Sequence, residues 1–223
     1  MARQPRFNIA GVAQHVVIRG NNRSACFFDD NDRRAYLHWL HEAAAQQRVA
    51  VHAYVLMTNH VHLLLTPEQG DALSPMIQLL GRRYVPYINR KYSRSGTLYE
   101  GRYKACVVDG ERYMLTVYRY IDLNPVRARV VKHPRDFRWS SYGANAGFRT
   151  DPLIRPHDCY SALGSTGAQC AARYRLLCDE AIETSELSEL RSMSSKQLVF
   201  GGEALKDEIA KLAQRRTRPA RRT

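Results

Sequence analysis

Two apolar runs that meet at a short polar turn constrain the fold of this chain more than any other feature. The runs VHAYVLM, at 51–57, and HVHLLL, at 60–65, are separated only by Thr58 and Asn59. Two strand-length apolar runs joined by a pair of turn-forming residues are typical of an antiparallel β-hairpin. We therefore expect a fold built on a sheet that contains this hairpin.

The sequence around the hairpin predicts further strands and helices. β-Branched runs indicate strands, apolar residues at helical spacing indicate helices, and Pro125 is expected to end the third helix. The expected elements are a strand at 11–18, a helix at 35–47, the hairpin, a helix at 72–92, a strand at the end of 96–108 and a helix at 111–124. This order predicts an α+β, ferredoxin-like antiparallel sheet with helices on one face.

The character of the sequence changes after Tyr142, where Gly, Pro and Asp cluster over 143–158. We therefore expect a first domain at 1–142 and a mostly helical C-terminal extension at 143–223. The extension contains two predicted helices and a cationic tail expected to be flexible, at 168–182, 204–214 and 215–223. It is interpreted either as a DNA-binding or subunit-contact module or as a helical cap on the surface.

The charge balance favours a polyanionic partner. Lys and Arg number 34 against 21 Asp and Glu, a formal charge of +13, and nucleic acid is the commonest partner of such a chain. The alternative is a merely basic protein. The five cysteines form no CxxC pair, which argues against a disulfide framework or a zinc knuckle. With no apolar run of membrane-spanning or secretory length, we expect a cytoplasmic protein with no membrane partner.

His60 and His62 are candidate metal ligands. They lie two residues apart on a predicted strand, so both imidazoles project from one face of the sheet. Two imidazoles on one face can hold one divalent metal ion. The alternative is a pair of surface or core-edge histidines without a ligand role.

Tyr120 and Asn124 are candidates to act with this pair. They are four residues apart on the third predicted helix and share one helical face, with Tyr113 on nearly the same stripe. A tyrosine can attack a phosphodiester and form a covalent link, which retains the bond energy for later religation. The alternative is that these tyrosines are only the packed side of an amphipathic helix.

Three segments resemble a known family. The sequences MTNHVHLLLTP, GTLYEGRYKA and ERYMLTVYRYIDLNPVRA are similar to those of the REP-associated tyrosine transposases and their insertion-sequence relatives, the single-tyrosine branch of the HUH endonucleases. The resemblance covers about 10–142. It implies the HUH endonuclease fold and a metal-dependent DNA transposase that cleaves and rejoins single strands beside hairpins through a 5′-phosphotyrosine intermediate.

The resemblance also assigns roles to the candidate residues. It implies that His60 and His62 are the HUH metal pair, that Tyr120 is the nucleophile, and that Asn124 is an amide-type third ligand where relatives usually carry glutamine. Tyr113 is the second choice for the nucleophile. The expected cofactor is Mg²⁺ or Mn²⁺ with no organic cofactor. The expected partner is a single-stranded DNA hairpin, bound by a monomer or a homodimer.

Clustered cations with interleaved tyrosines are the candidate DNA contacts. Cations can bind the phosphates and tyrosines can stack on bases, although each arginine taken alone is more often a solvated charge. The candidate cations are Arg19, Arg23, Arg82, Arg83, Arg90, Lys91, Arg94, Arg102, Lys104, Arg127 and Arg129. The candidate stacking residues are Tyr84, Tyr87, Tyr92, Tyr99 and Tyr103.

Two other functions remain open from the sequence. The first is a nucleic-acid-binding module without catalysis, in which the histidines and tyrosines contact bases or pack. The second is a metal-dependent phosphodiester hydrolase that uses an activated water. It would need a carboxylate or a third histidine near the pair, for which the candidates are His15, His52 and Asp122.

Overall fold

A five-stranded sheet forms the centre of the computed structural model, which describes residues 6–219. The strands are β1 Gln14–Arg19, β2 Val49–Met57, β3 His60–Pro67, β4 Lys104–Val108 and β5 Val199–Phe200. Within the described residues their order is β2-β3-β1-β4-β5. The first four are antiparallel neighbours in the ferredoxin-like order, and β5 pairs with β4 in parallel. The predicted hairpin and the α+β class are confirmed.

Helices fill the connections between these strands. Gly81 and Pro86 both lie inside the second helix, which continues through them. Asp29 and Asp32 form a reciprocal capping box at the start of the first helix. The helices are α1 Asp30–Gln46, α2 Leu73–Lys91, α3 Glu111–Asp122, α4 Asn124–Arg127, α5 Tyr142–Asn145, α6 Asp158–Ser161, α7 Gly167–Asp179, α8 Thr184–Lys196 and α9 Glu203–Ala213.

The alternation of side chains along the strands divides the sheet into two faces. On the first, Ile18 and Leu63 belong to an apolar core with side chains of α1 and α2; we call it the α1–α2 face. On the second, which we call the α3–α8 face, Val17 of β1 lies opposite His62 of β3. The apolar part of this face packs against α3, α7 and α8.

The two helices of the predicted strand–helix–strand–strand–helix–strand unit, α1 and α2, cover one face of the sheet as predicted, and the sequence did not predict which helices cover the other face. The C-terminal helices fold back onto the face that α3 occupies, and α1 and α2 cover the opposite face. Helical periodicity marks an apolar stripe but does not say which surface the stripe covers. The third helix also ends earlier than expected, at Asp122. Pro125 lies in the first turn of α4, where backbone N–H groups have no partner within the helix, so the missing N–H of proline costs no helical hydrogen bond.

The C-terminal region contains the two helices predicted there, as α7 and α9, and further elements that the sequence did not predict, namely the short helices α5 and α6, the helix α8 and the strand β5. Of the cationic tail, residues 220–223 lie outside the described residues, whereas Arg218 pairs with Glu203 and Asp207. The division after residue 142 stays a prediction. No helix within residues 6–219 is long and apolar enough to span a bilayer.

Candidate active site

His60 and His62 lie together on the α3–α8 face. They are separated by one residue of β3, and their ring centroids are 5.0 Å apart with the planes nearly perpendicular. His62 is buried, with 6% of its surface exposed, and His60 is half-buried at the strand start. The alternation of the strand therefore presents two imidazoles at one place, as the sequence predicted.

The hydrogen bonds of His60 leave one ring nitrogen available. Its Nδ1 lies 2.7 Å from the side-chain oxygen of Asn59, which can only accept, so Nδ1 carries the proton. The amide of Asn59 is oriented by a second bond, in which its nitrogen donates to the carbonyl of Arg23. The Nε2 of neutral His60 consequently carries the lone pair that metal ligation requires.

Burial keeps both imidazoles neutral. Burial and the charge of Arg19 lower the pKa of His60 to about 4, while a hydrogen bond to the side-chain oxygen of Asn124 raises it. Burial also holds the pKa of His62 well below its ordinary value, with smaller contributions from neighbouring His15 and His60. Neutral imidazoles can offer lone pairs to a cation at neutral pH.

The C-terminal end of α3 brings Tyr120 and Asn124 to the histidine pair. The ring of Tyr120 lies edge-on to that of His62, with centroids 5.6 Å apart, and 9% of its surface is exposed. Asn124 begins α4 and is within hydrogen-bonding reach of His60. The structure thus gathers an imidazole pair, a phenol and a carboxamide from β3, α3 and α4.

Arg127 packs directly on the candidate nucleophile. Its guanidinium lies 4.2 Å from the ring centroid of Tyr120, and it donates a hydrogen bond to the Tyr120 carbonyl. Burial lowers the pKa of Arg127 to about 10, and the charge of Arg191 contributes to this decrease. One buried nitrogen, Nη1, has no hydrogen-bond partner among the described residues. A buried cationic donor without a partner favours an anionic ligand beside the phenol.

A cavity of 560 Å³ opens beside Tyr120. Four cationic side chains and one carboxylate, Glu100, lie on its wall. The cations are Arg19, Arg102, Lys104 and Arg191. A concave surface with this excess of positive charge concentrates phosphate-bearing ligands.

The other candidate DNA contacts lie elsewhere on the molecule. On α2, Arg83 pairs with Glu42 and Lys91 pairs with Asp29 and Asp32, the latter two pairs at 2.7 Å. These two cations are thus partly neutralised by α1 and its cap. The remaining candidates are exposed or half-buried surface residues outside the wall of the Tyr120 cavity: Arg23, Arg82, Arg90, Arg94 and Arg129.

The prediction that Tyr84 stacks on bases is wrong. It is fully buried, and its hydroxyl donates to the carbonyl of Cys26. Tyr103 is also buried, whereas Tyr87 and Tyr92 are half-buried and donate to Asp32. Tyr84 lies on the inner stripe of α2, which the interleaving of tyrosines with cations could not distinguish from an outer one.

Tyr113, the second choice for the nucleophile, lies near the start of α3. Its ring contacts Phe200 of β5 at a centroid distance of 4.8 Å. It is therefore about two helical turns from Tyr120, at the opposite end of the helix from the histidine pair.

The candidate ligands for a hydrolase have structural partners. His52 donates from Nδ1 to the carbonyl of Arg155 and accepts from Thr66. Asp122 accepts hydrogen bonds from Ser141, Asn145 and Tyr174. Burial raises the pKa of this carboxyl to about 6, and the three donors oppose that shift. Within residues 6–219, no group of three or more His, Cys, Asp or Glu side chains is arranged to hold a metal ion.

His15 differs from the other two, because it contacts the pair itself. Its Nε2 lies 2.8 Å from Nδ1 of His62, and its Nδ1 lies 3.0 Å from the hydroxyl of Ser194 on α8. Neither this link nor Arg191 was predicted. The only signal in the sequence was the alternation that places His15 and Val17 on one strand face; nothing local indicated that α8 reaches them.

The donor set fits a divalent metal. The Nδ1 atoms of His60 and His62 both have hydrogen-bond partners within the protein, whereas the hydrogen bonds described leave both Nε2 atoms for a ligand. Asn124 adds a carboxamide next to His60. Two neutral nitrogens and an amide oxygen leave coordination positions for oxygen ligands, such as phosphate and water, which Mg²⁺ and Mn²⁺ prefer.

Comparisons with known proteins indicate the family and the fold of this chain. A family model described as "Transposase IS200 like" matches residues 8–124, and no curated protein matches. The chain is similar to a solved REP-associated tyrosine transposase bound to a REP hairpin, at 17% identity and a TM-score of 0.58, over 71% of this chain and 93% of that one. A proposed transposase from Deinococcus radiodurans R1 aligns at 20% identity over 54% of this chain and 96% of that one, with a TM-score of only 0.38.

Proposed function

Because this chain belongs to the IS200-like transposase family, we propose that it cleaves and rejoins single-stranded DNA beside a hairpin through a covalent bond to Tyr120. The observation that carries the proposal is the position of the Tyr120 ring, against His62 on one side and under the guanidinium of Arg127 on another. A phenol used only for packing would not need a buried cation with an unpartnered donor beside it.

The reaction is a transesterification at phosphorus. The phenolic oxygen of Tyr120 attacks the scissile phosphate, the new Tyr–O–P bond forms and the bond from phosphorus to the 3′ oxygen breaks. The proton lost by the phenol is balanced by the proton that the departing 3′ oxygen gains. The products are a 5′-phosphotyrosine and a free 3′-hydroxyl, and the reverse reaction joins a strand without an external energy source.

His60, His62 and Asn124 would hold Mg²⁺ or Mn²⁺, which when bound polarises the scissile phosphate and stabilises its additional charge. The side chains of the protein orient the reactants. The guanidinium of Arg127 packs against the ring of Tyr120 and places a positive charge beside the phenol. The tyrosine is confined between Arg127 and His62, which restricts the direction of its attack.

The cavity beside Tyr120 is the proposed entrance for the DNA strand. Three of the predicted DNA contacts, Arg19, Arg102 and Lys104, lie on its wall. Arg191 adds a fourth cation from α8. The likeness to a transposase bound to a REP hairpin supports a hairpin-bearing substrate, and the positive wall of the cavity supports a single strand at the site of chemistry.

A covalent-capture experiment tests the proposal. The protein is incubated with a hairpin oligonucleotide carrying single-stranded flanks, with Mn²⁺ or with chelator, and the products are separated under denaturing conditions. We expect a protein–DNA adduct that needs metal and that Tyr120→Phe abolishes. Tyr113→Phe is the matched control, because it removes the same hydroxyl at the other end of α3, and the adduct should persist.

The other outcomes discriminate between the alternatives. An adduct that persists in Tyr120→Phe and disappears in Tyr113→Phe would move the nucleophile to Tyr113. A free 5′-phosphate with no adduct would indicate hydrolysis. Hairpin binding that is equal with chelator and with metal, without cleavage, would indicate a binding module.

A further inference from the structure

A chain of hydrogen bonds leads from the C-terminal helix α8 to the histidine pair. The hydroxyl of Ser194 lies 3.0 Å from Nδ1 of His15, and Nε2 of His15 lies 2.8 Å from Nδ1 of His62. The two imidazole planes are within 14° of parallel. All three side chains are buried, with at most 8% of their surface exposed, so bulk water does not replace these contacts.

The direction of this chain determines whether His62 can bind a cation. If His15 donates from Nδ1 to Ser194, its Nε2 accepts the Nδ1 proton of His62, and Nε2 of His62 is a free lone pair. If every proton is reversed, Ser194 donates to His15, His15 donates to His62, and Nε2 of His62 carries a proton. Only the first arrangement matches that of His60, whose Nδ1 donates to Asn59.

We infer that Ser194 and His15 are positioning residues that hold His62 in the tautomer whose Nε2 can bind a metal ion. The helix α8 therefore contributes to the catalytic site. This inference deepens the proposed function and depends on it for the identity of the metal ligands. It assigns a role to a segment outside residues 8–124, the part of the chain that matches the family model.

The anchoring of α8 suits such a role. Leu190 and Met193 are buried in the apolar core of the α3–α8 face, on either side of Arg191, which lines the cavity. Glu186 accepts a hydrogen bond of 2.6 Å from Arg112 of α3, and Glu189 lies 3.6 Å from Lys206 of α9. The helix is thus fixed to α3 and α9, so its serine is presented to His15 in a defined position.

Variants of two adjacent serines separate positioning from general stability. Ser194→Ala removes the acceptor for His15. Ser195→Ala is the matched control, because Ser195 lies on the same helix and the same cavity wall but bonds to the carbonyl of Ser192. Ser194→Thr restores a hydroxyl. For His15, we compare His15→Phe, which keeps a ring without nitrogen, with His15→Gln, which keeps an acceptor.

Mn²⁺ affinity, measured by calorimetric titration of the full chain without DNA, is the first readout. We expect His15→Phe to weaken binding about 10- to 100-fold, as is typical when the partner of a ligating histidine is lost, and Ser194→Ala to weaken it by a smaller factor. Ser195→Ala should match the wild type, and Ser194→Thr and His15→Gln should recover part of the affinity. Unchanged affinity in Ser194→Ala, with or without a loss of thermal stability, would overturn the inference.

The tautomer of His62 is the second readout and requires no metal. Long-range ¹H–¹⁵N NMR spectra of histidine-labelled protein distinguish a protonated Nδ1 from a protonated Nε2. We expect protonated Nδ1 in the wild type and in Ser195→Ala, and a mixture of tautomers in Ser194→Ala. A protonated Nε2 of His62 in the wild type would overturn the inference. Because this result does not depend on covalent capture, failure of the inference and failure of the proposed nucleophile remain distinguishable.

Discussion

The two faces of the sheet are made from alternate residues of the same strands, yet they bury different chemistry. On the α1–α2 face, strand residues such as Ile18, Val61 and Leu63 pack into an apolar core. On the α3–α8 face, the same strands carry His15 and His62 into the interior.

The difference shows how one sheet combines stability with reactivity. Apolar contacts are non-directional and tolerate small displacements, so the α1–α2 face provides free energy of folding without fixing the orientation of any polar group. The histidines of the site need defined partners: His60 obtains them from Asn59 and Asn124, and His15 obtains one from Ser194. These partners lie in three different parts of the chain. The α3–α8 face therefore needs the C-terminal helices, both to exclude water and to supply an acceptor.

Two residues of β3, one on each face of the sheet, provide the strongest test of this difference between the two faces. Leu63→Ala removes a fully buried side chain from the α1–α2 face, and we expect it to lower the free energy of unfolding by about 2–5 kcal/mol. The Mn²⁺ affinity of the folded protein should not change. Half-buried His60→Ala should do the reverse, weakening Mn²⁺ binding at least about 100-fold. Urea denaturation and calorimetric titration measure the two effects, and equal losses of both properties in the two variants would contradict the division.

A buried histidine away from the site makes stability depend on pH. Burial lowers the pKa of His52 to about 4, and nearby His157 contributes in the same direction, whereas the Arg155 carbonyl and Asp158 oppose it. Below about 6.5 the unfolded imidazole binds a proton that the folded one does not, so the free energy of unfolding falls as the pH falls. The ring of Tyr118 also lies near His52, with the two ring centroids 6.4 Å apart.

We expect this dependence to be weaker in His52→Gln. Between pH 7 and pH 5, the wild type should lose about 2 kcal/mol more of its free energy of unfolding than the variant does. Urea denaturation at the two pH values measures the difference, and the other buried histidines contribute equally to both proteins. Parallel pH curves for the two proteins would contradict the assignment.

Asp122 tests whether every buried polar group on the α3–α8 face is functional. Its carboxylate accepts from Ser141, Asn145 and Tyr174, and Asp122→Asn turns an N–H donor toward these donors. We expect a loss of about 1–3 kcal/mol in the free energy of unfolding. Mn²⁺ affinity should be unchanged, because we assign this carboxylate a structural role and not a role in metal binding. A large loss of Mn²⁺ affinity at unchanged stability would instead favour the hydrolase.

The cations of the two faces should differ in their contribution to DNA binding. Arg19→Gln removes a charge from the wall of the Tyr120 cavity, and the slope of log affinity against log salt should decrease by about 0.7 for a single strand. Arg82→Gln removes an exposed charge from α2 and should leave the slope unchanged. Fluorescence anisotropy over a range of salt concentrations measures both. A larger decrease for Arg82→Gln would place the strand along α2.

Much of the candidate site could be predicted because its parts are local patterns. The alternation along HVH determines that His60 and His62 share a strand face. The short interval in YIDLN places Asn124, at the start of α4, close in sequence to Tyr120 at the end of α3. The helix boundary was less certain, since Pro125 continues the chain into α4 instead of ending a longer helix. Tyr84 was misplaced for a similar reason, because local spacing does not distinguish the inner stripe of α2 from the outer one.

The sequence by itself determined the hairpin and the shared face of the two histidines, since each depends on backbone periodicity over a few residues. The succession of strands and helices predicted the ferredoxin-like antiparallel sheet. Only the tertiary structure decided that α8 covers that face and that Ser194 meets His15, 179 positions earlier in the chain. Contacts between residues so far apart in the sequence depend on which apolar surfaces pack against each other. The local periodicity of a helix or strand does not specify that packing.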